Sequence, residues 1–400
     1  MPLKLNVKQT FILGLGFFAV SLVWPLYNVY VPIFLRDFLD SQFQINAIMT
    51  LDNILAVSLI PVIATLSDRT QTRFGRRMPY LMAGIPIAAL MFVILPGYTS
   101  LLSLMVIITI LNFAMAIFRA PTVALMPDIT PPPLRSQANG IINFMGGLAS
   151  VFVLIGGAFL YNMAHMLPFI LTAVLMVFAL FMLLKFIKEP TQYVAASEER
   201  EKLGTLLARI DRSEKKETFL ILGAIFFWFF GYQGVEATFS NYCVRFLGLE
   251  VPTASLILGF FALSFLIFAI PAGFVGTKLG KRRTILIGIA GDAVIFVALS
   301  FIGNLIPYTM SVMALLMFIG GFFWAMININ SYPLIVGKAP EALVGTYTGL
   351  YYFASSAAAI FGPLALGLLV DITSFKYMFV FTAVAYLIAG ALILKTSNNA

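Results

Sequence analysis

Long apolar runs separated by short polar turns repeat along the whole chain. There are twelve of them, and each approaches or exceeds the roughly 20 residues that a helix needs to cross a bilayer. One extended charged stretch, residues 188–217, divides them six and six. The predicted spans lie near residues 11–34, 45–66, 79–97, 101–127, 138–160, 167–187, 218–243, 252–275, 284–303, 306–332, 345–368 and 375–395.

Two short segments recur, in the same order, in both sets of six spans. TRFGRRMPYLMAG (72–84) aligns with TKLGKRRTILIGI (277–289), with a glycine at the same place, and each follows the second span of its set. SQANGIINFMGG (136–147) aligns with GTYTGLYYFASS (345–356), where small residues open the fifth span and allow close helix packing. The recurrence indicates an internal duplication.

We therefore predict an all-α membrane protein with two pseudo-symmetric six-helix bundles. The bundles are residues 1–187 and 218–400, and a cytoplasmic linker over 188–217 joins them. Duplicated bundles of this kind are common in secondary transporters, which bind substrate near the midplane between the two repeats.

The composition agrees with a membrane location. The chain is 61% hydrophobic and 10% charged, which is more apolar than a soluble protein of 400 residues. Its net charge of +8 does not indicate a nucleic-acid partner, because the Lys and Arg residues gather in alternate loops. The exceptions are Arg36, Arg245 and Lys376 in the other loops and Arg119 within a span. The positive-inside rule then predicts a multi-pass protein of the plasma membrane with both termini in the cytoplasm.

Cysteine and histidine each occur once in the chain, and this argues against several kinds of site. One cysteine, Cys243, excludes an intrachain disulfide, and one histidine, His165, argues against a zinc or haem site. There is no Cys/His pair and no glycine-rich phosphate loop, so we expect no metal, no cofactor and no enzymatic activity. The duplicated halves also argue against a channel. We expect the transporter to function as a monomer.

Four charged residues lie inside the apolar runs. Asp52, Arg119, Glu236 and Asp292 each cost about 2.5 to 3.5 kcal/mol there unless paired or hydrated. Counting along the helices places Asp52 and Glu236 in the outer half of the membrane and the other two in the inner half. This placement argues against simple pairing of Asp52 with Arg119. Asp292 lies on the ninth span, whose counterpart in the first set, the third span, has no charge, and this peripheral position favours a structural role.

The seventh span carries a polar stripe around Glu236 that includes Gln233. WPLYNVY in the first span places Tyr27 and Asn28 at the corresponding depth. A partly desolvated carboxylate there could take up and release a proton, or it could be a structural acid hydrogen-bonded to its neighbours. We predict Glu236 as the first proton-coupling candidate and Asp52 as the second.

Further polar residues are candidates for substrate binding. Arg119 shares a helix face with Asn112 and can donate several hydrogen bonds to hydroxyls or a carboxylate, or tie its helix to a neighbour. Trp324, Asn328 and Ser331 are spaced to share one face of the tenth span. An amide beside an aromatic ring suits a sugar, and equally suits hydrogen bonding between helices.

The loop SDRTQTRFGRR between the second and third spans contains the gating candidates Asp68, Arg69, Gly75, Arg76 and Arg77. A cytoplasmic turn that obeys the positive-inside rule accounts for its arginines. The recurrence of the turn favours a latch instead. Asp68 would meet a helix N-terminus, for instance that of the eleventh span, and the arginines would pair with acids or carbonyls. Gly75 would supply the tight turn.

The same loop carries a family resemblance. SDRTQTRFGRRMPY resembles the loop of the major facilitator superfamily, and its five-residue spacer, Thr70 to Phe74, is similar to that of sucrose transporters and glycoside-pentoside-hexuronide cation symporters. RAPTVALMPDI, which contains Asp128, and the following Arg135 resemble the helix 4 to 5 region of the sucrose group, and we count both residues with the gate. The resemblance implies proton-coupled symport of a sugar or glycoside by alternating access. The alternative is a proton-coupled exporter of drugs or metabolites.

The chain departs from this family pattern at four positions. The sugar-binding arginine of the sucrose group falls at Val123 and its aspartate at Asn112, so Arg119, one turn away, is the candidate replacement. The paired aspartates of sodium-coupled melibiose-type members fall at Ala56 and Ile60. The departures disfavour that kind of sodium coupling, and we predict coupling to protons.

Overall fold

The computed structural model describes residues 4–189, 212–305, 310–339 and 343–397, and its regular structure is helical. The α-helices are α1 (Val7–Arg36), α2 (Gln42–Met49), α3 (Leu51–Arg69), α4 (Met78–Ile94), α5 (Leu101–Ile129), α6 (Arg135–Val151), α7 (Gly157–Met163), α8 (Leu167–Phe186), α9 (Arg212–Asn241), α10 (Val251–Leu279), α11 (Lys281–Leu305), α12 (Met310–Val336), α13 (Val344–Ile372) and α14 (Met378–Leu394).

Twelve candidate membrane spans are present in this part of the chain, which confirms the predicted number. The spans agree with the apolar runs because a helix satisfies all its backbone hydrogen bonds internally, as the bilayer requires. The N-terminus of α1 is capped by Asn6, whose side chain accepts a hydrogen bond from Gln9 N. Ser100 and Ser103 cap α5 reciprocally.

Two prolines lie within α1 without ending the helix. Pro25 and Pro32 lie inside a helix that continues through both residues. Irregular turns occur elsewhere. Thr50 separates α2 from α3, and π-helical turns follow α6 at Phe152–Gly156 and α9 at Tyr242–Phe246. Such π turns often accompany functional sites.

The helices form two compact units, one with α1 and α3–α8 and the other with α2 and α9–α14. The principal contacts within the first unit are α1 with α6 and α8, α4 with α5 and α8, and α3 with α5. The second unit repeats them as α9 with α13 and α14, α11 with α12 and α14, and α10 with α12. The repeated contacts agree with the duplication indicated by the recurring segments.

The short helix α2 packs within the second unit, against α13 and α9. Asn46 Nδ2 donates to Thr238 Oγ1 at 2.9 Å and to the Pro363 carbonyl at 2.7 Å. Asp371 of α13 accepts hydrogen bonds from Gln42 N at 2.6 Å and Phe43 N at 3.0 Å. A carboxylate at these positions stabilises the free N–H groups and positive dipole end of α2. Nothing in the sequence pattern predicted this association.

Candidate gating and substrate sites

In the first unit, the loop between α3 and α4 turns at Gly75 and sets two arginines against α5. Gly75 has a φ of +104°, which L side chains rarely adopt, and this confirms the predicted tight turn. Arg76 and Arg77 both bind Asp128 near the end of α5, with Nε to Oδ2 distances of 3.1 and 2.9 Å. The shared carboxylate fixes the loop to α5.

Arg77 is the centre of this network, and only 4% of its surface is exposed. Its guanidinium also donates to the Ser67 hydroxyl and to the Asp68 carboxylate at the end of α3. Burial works against the charged form, but the hydrogen bonds and charges of Asp128 and Asp68 outweigh it and raise the pKa of Arg77 above its ordinary value. Arg77 therefore ties together the ends of α3, α4 and α5 as a permanent cation.

Glu189 completes the network from the chain just beyond α8. Its carboxylate accepts hydrogen bonds from Arg77 N at 3.0 Å and Met78 N at 3.2 Å, at the N-terminus of α4. A carboxylate is stabilised there by unpaired N–H groups and by the helix dipole. Sequence analysis missed this residue, because the charged segment in which it lies shows no spacing that indicates a partner.

The remaining gating candidates are Asp68, Arg69 and Arg135. Asp68 is half exposed and pairs with Arg77, while its predicted contact with the eleventh span stays a prediction. Arg69 is exposed to solvent. Arg135 donates to the backbone carbonyls of Thr130 and Pro127 at 3.2 and 2.9 Å, across the turn that joins α5 to α6.

The second unit builds its corresponding loop differently. Gly280 turns the chain with a φ of +88°. Lys281 Nζ donates to the Pro333 carbonyl on α12 at 3.2 Å. Arg282 donates to the carbonyls of Ile393 and Leu394 at 3.1 and 3.0 Å, at the end of α14. The cations of this loop thus donate to backbone carbonyls in the last turns of α12 and α14.

Polar residues from α1, α3 and α5 gather within the spans of the first unit. Asn112 Nδ2 donates to the Tyr27 hydroxyl at 3.3 Å, which joins two of the predicted substrate residues. Asp52 accepts hydrogen bonds from the backbone and side chain of Asn53. The Arg119 guanidinium lies over the Trp24 ring, 5.9 Å from its centre.

Asp52 and Arg119 interact without a hydrogen bond between them. The two are not a hydrogen-bonded ion pair, as expected, but they are close enough to interact electrostatically. Asp52 lies in the first turn of α3, which begins at Leu51, and the predicted depths of the two residues stay a prediction. Among the residues that the structure describes, no acceptor takes a hydrogen bond from Arg119.

In the second unit, the predicted sugar-binding face is partly occupied by other side chains. The Trp324 ring is 4% exposed and stacks on Tyr232, with ring centres 4.2 Å apart. Ser331 hydrogen-bonds to the Tyr351 hydroxyl at 3.1 Å. Asn328, on the same face, is half-buried. Of the three residues, Asn328 presents the most accessible polar group.

The other polar residues considered for substrate binding or coupling are half-buried or bound to a neighbouring helix. Gln233 and Glu236 are half-buried on α9, and Glu236 interacts electrostatically with Tyr232. Asn330 points away from Asn328, as the helical spacing predicts, and donates to the Ala272 carbonyl of α10 at 3.1 Å. Asn28 of the first unit is half-buried on α1.

Twelve spans in two repeated units, with polar groups inside the spans, define a membrane transporter. The family model of the Major Facilitator Superfamily matches residues 13–363 and 244–398, so the chain belongs to this superfamily. The protein is therefore a secondary transporter of a small molecule, and not an enzyme.

Curated relatives and solved structures agree with this assignment. The chain is 26% identical over 395 residues to the tetracycline resistance protein, class G, of Vibrio anguillarum, covering 94% of each chain. It is 26% identical over 230 residues to the cis,cis-muconate transport protein of Acinetobacter baylyi, covering 56% of this chain and 53% of that relative.

The overall fold also matches two solved transporters at 16% identity. The first is a bacterial homologue of the human lysosomal transporter Spinster, with a TM-score of 0.69 over 97% of this chain and 95% of that one. The second is the nucleoside transporter NupG, with a TM-score of 0.73 over 97% and 98%.

Proposed function

We propose that the protein carries a sugar or glycoside across the plasma membrane by alternating access, coupled to protons. In this proposal both termini lie in the cytoplasm and a monomer performs the cycle. The observation that carries it is Arg119, an intramembrane guanidinium with an aromatic ring beneath it and no described hydrogen-bond acceptor. A cation inside a membrane span costs free energy, so the presence of Arg119 there favours a role in binding a ligand.

The choice of a sugar rests on the polar groups around Arg119 and on the loop before α4. A guanidinium can donate to several hydroxyls at once, and the Trp24 ring offers an apolar face of the kind that packs on a sugar ring. Asn112 and Tyr27 add an amide and a hydroxyl on neighbouring helices. The five-residue spacer before Gly75 supports the glycoside and sucrose transporter group within the superfamily.

Coupling would use Asp52 and Glu236. Asp52 attracts Arg119, so protonation of Asp52 would strengthen the net positive charge that a substrate meets. Glu236 lies beside the Tyr232 and Trp324 stack, where loss or gain of its charge would affect a second group of candidate residues. We keep Glu236 as the first candidate and Asp52 as the second.

A second candidate function is proton-coupled export of a drug or metabolite. The relative from Vibrio anguillarum is named for tetracycline resistance and matches 94% of the chain. The stacked Trp324 and Tyr232 rings also suit an apolar, aromatic substrate. The Acinetobacter relative is named for transport of muconate, an anion that the Arg119 guanidinium could bind as a substrate.

The test is uptake into proteoliposomes with an imposed pH gradient, using sucrose, maltose, glucose, muconate and tetracycline. Saturable, pH-driven sugar uptake supports the proposal. Saturable tetracycline or muconate movement with no sugar response would replace it with the second candidate. Sugar uptake driven by sodium and insensitive to pH would overturn the coupling ion alone.

Two pairs of variants test the residues. Arg119→Gln should lower apparent sugar affinity at least tenfold, and Arg119→Lys should restore part of it, because Lys keeps the charge but not the planar fork. Glu236→Gln should abolish pH-driven accumulation, with Asp52→Asn less affected. Full pH-driven uptake in Glu236→Gln together with its loss in Asp52→Asn would reverse our order of the coupling residues.

A further inference from the structure

The core of the second unit contains a carboxylate without a hydrogen bond. Asp292 lies within α11, is 1% exposed, and neither of its carboxylate oxygens has a partner among the described residues. The backbone of α12 passes close to it, since a Cβ on Gly320 would be 3.6 Å from Oδ1. The carboxylate therefore lies directly beside the backbone of α12.

The helices packed against α11 offer Asp292 no described cation. From α14 comes Tyr386, which interacts electrostatically with Asp292 and whose buried hydroxyl also lacks a described partner. On α12, a Cβ at Gly320 would contact both Asp292 and the apolar ring of Phe261 from α10. In the part of the chain that the structure describes, no Lys, Arg or His acts on Asp292.

Two tyrosines connect this site to the candidate coupling residue. Tyr386 interacts electrostatically with Tyr232 of α9 as well as with Asp292, and Tyr232 interacts with Glu236. The groups thus form a series across α11, α14 and α9. The rings of Trp324 and Tyr386, with centres 6.5 Å apart, lie along the same series.

The surroundings distinguish the two protonation states of Asp292. A buried carboxylate with neither a cation nor a hydrogen-bond donor loses its hydration without compensation, at a cost of several kcal/mol. A carboxyl that is only structural would be hydrogen-bonded, as Asp371 is at the start of α2. The neutral acid is the form that this environment tolerates.

We propose that Asp292 is a proton-binding site of the transport cycle, occupied in this conformation and connected to Glu236 through Tyr386 and Tyr232. The inference rests on the proposed proton coupling. When a conformational change brings the two carboxyl groups and the two tyrosine hydroxyls into hydrogen-bonding contact, each tyrosine accepts a proton from one neighbour as it donates its own to the next. The net change is one proton moved from one carboxyl to the other, and both tyrosines end neutral. The missing hydrogen bonds of Asp292 and Tyr386 keep the proton in place until then.

The first test needs no substrate. Infrared spectra of the purified protein at neutral pH are compared for the wild type and Asp292→Asn, with the exposed-acid variant Glu250→Gln as the matched control. We expect the wild type to show a protonated-carboxyl C=O band that is lost in Asp292→Asn and kept in Glu250→Gln. Tyr386→Phe should shift the band. Identical bands in the wild type and Asp292→Asn would show that Asp292 is ionised, and would overturn the proposal.

The second test follows transport, with sucrose as the probe, or tetracycline if only that is carried. Asp292→Asn, a near-isosteric mimic of the neutral acid, should retain substrate exchange at equal pH but lose at least tenfold in pH-driven accumulation. Asp292→Glu should recover part of that loss. Unchanged pH-driven accumulation would overturn the proposal. If neither probe is carried, the proposed function fails and the infrared comparison still decides whether Asp292 holds a proton.

Discussion

The loops that follow α3 and α10 have related sequences but are held by different chemistry. In the first unit, Arg76 and Arg77 bind side-chain carboxylates. In the second, Lys281 and Arg282 bind backbone carbonyls at helix ends. A buried carboxylate is charged, so removing its cationic partner leaves an uncompensated charge. A backbone carbonyl is neutral, and losing the same cation costs it only a hydrogen bond. The difference teaches that one sequence pattern can support a charge-dependent attachment in one repeat and a largely structural one in the other.

The largest effect should come from Arg77→Ala. It removes one of the two arginines that bind the largely buried Asp128 and the described partner of the half-exposed Asp68. Because Asp128 keeps Arg76, we expect a loss of about 3 kcal/mol in the stability of the first unit, the low end for a broken buried pair. The measurement is the thermal unfolding midpoint in detergent. Arg77→Lys, the control, keeps the charge and should lie between the variant and the wild type. An unchanged midpoint in Arg77→Ala would contradict the central role of this residue.

The two turn glycines give the next comparison. Both have positive φ, so alanine at either should cost about 1 to 2 kcal/mol. A Cβ on Gly75 would also collide with the Glu189 carboxylate, while one on Gly280 would meet nothing within 4 Å. Gly75→Ala should therefore lower the unfolding midpoint clearly more than Gly280→Ala. Equal losses would indicate that Glu189 moves away without cost.

Arg282→Ala should have a moderate effect. It removes hydrogen bonds to the carbonyls of Ile393 and Leu394, and among the described residues no carboxylate loses its partner, so we expect a loss of about 2 kcal/mol. The same melting measurement, made beside Arg77→Ala, tests whether the two loops differ as described. A loss in Arg282→Ala greater than that in Arg77→Ala would reverse the comparison.

Glu189→Gln should have the smallest effect. Glutamine keeps the length and one oxygen acceptor, but it removes the negative charge at the N-terminus of α4, worth about 0.3 to 1 kcal/mol. High salt should reduce the difference from the wild type. Glu189→Ala, which also removes the acceptor, should be less stable than Glu189→Gln. Equal melting of the two variants would show that the hydrogen bonds of Glu189 contribute little.

Much of the fold follows from the sequence because a bilayer demands apolar helices of a set length. The predicted bounds 101–127 and 167–187 lie close to the observed α5 and α8. The interruption at Thr50 was not predicted, since the apolar run continues across it. The helix before it, α2, packs against α13 and α9, which are distant in sequence.

The sites were less predictable because their partners are distant in sequence. The arginines of the loop were identified, but the binding of Arg77 to Asp128, 51 residues away, depends on how α3, α4 and α5 pack. The position of Asp292 was evident from the apolar run around it. Its lack of a hydrogen bond is a property of four helices together, which no local pattern encodes.

The position of α2 bears on how the polypeptide can be divided. A cut between residues 190 and 211 would leave α2 on the N-terminal fragment, while its hydrogen-bond partners Thr238, Pro363 and Asp371 lie on the C-terminal fragment. Neither fragment would be complete by itself. Each should be degraded when it is expressed alone and recovered when the two are produced together, so that the halves of this duplicated chain have become mutually dependent for assembly.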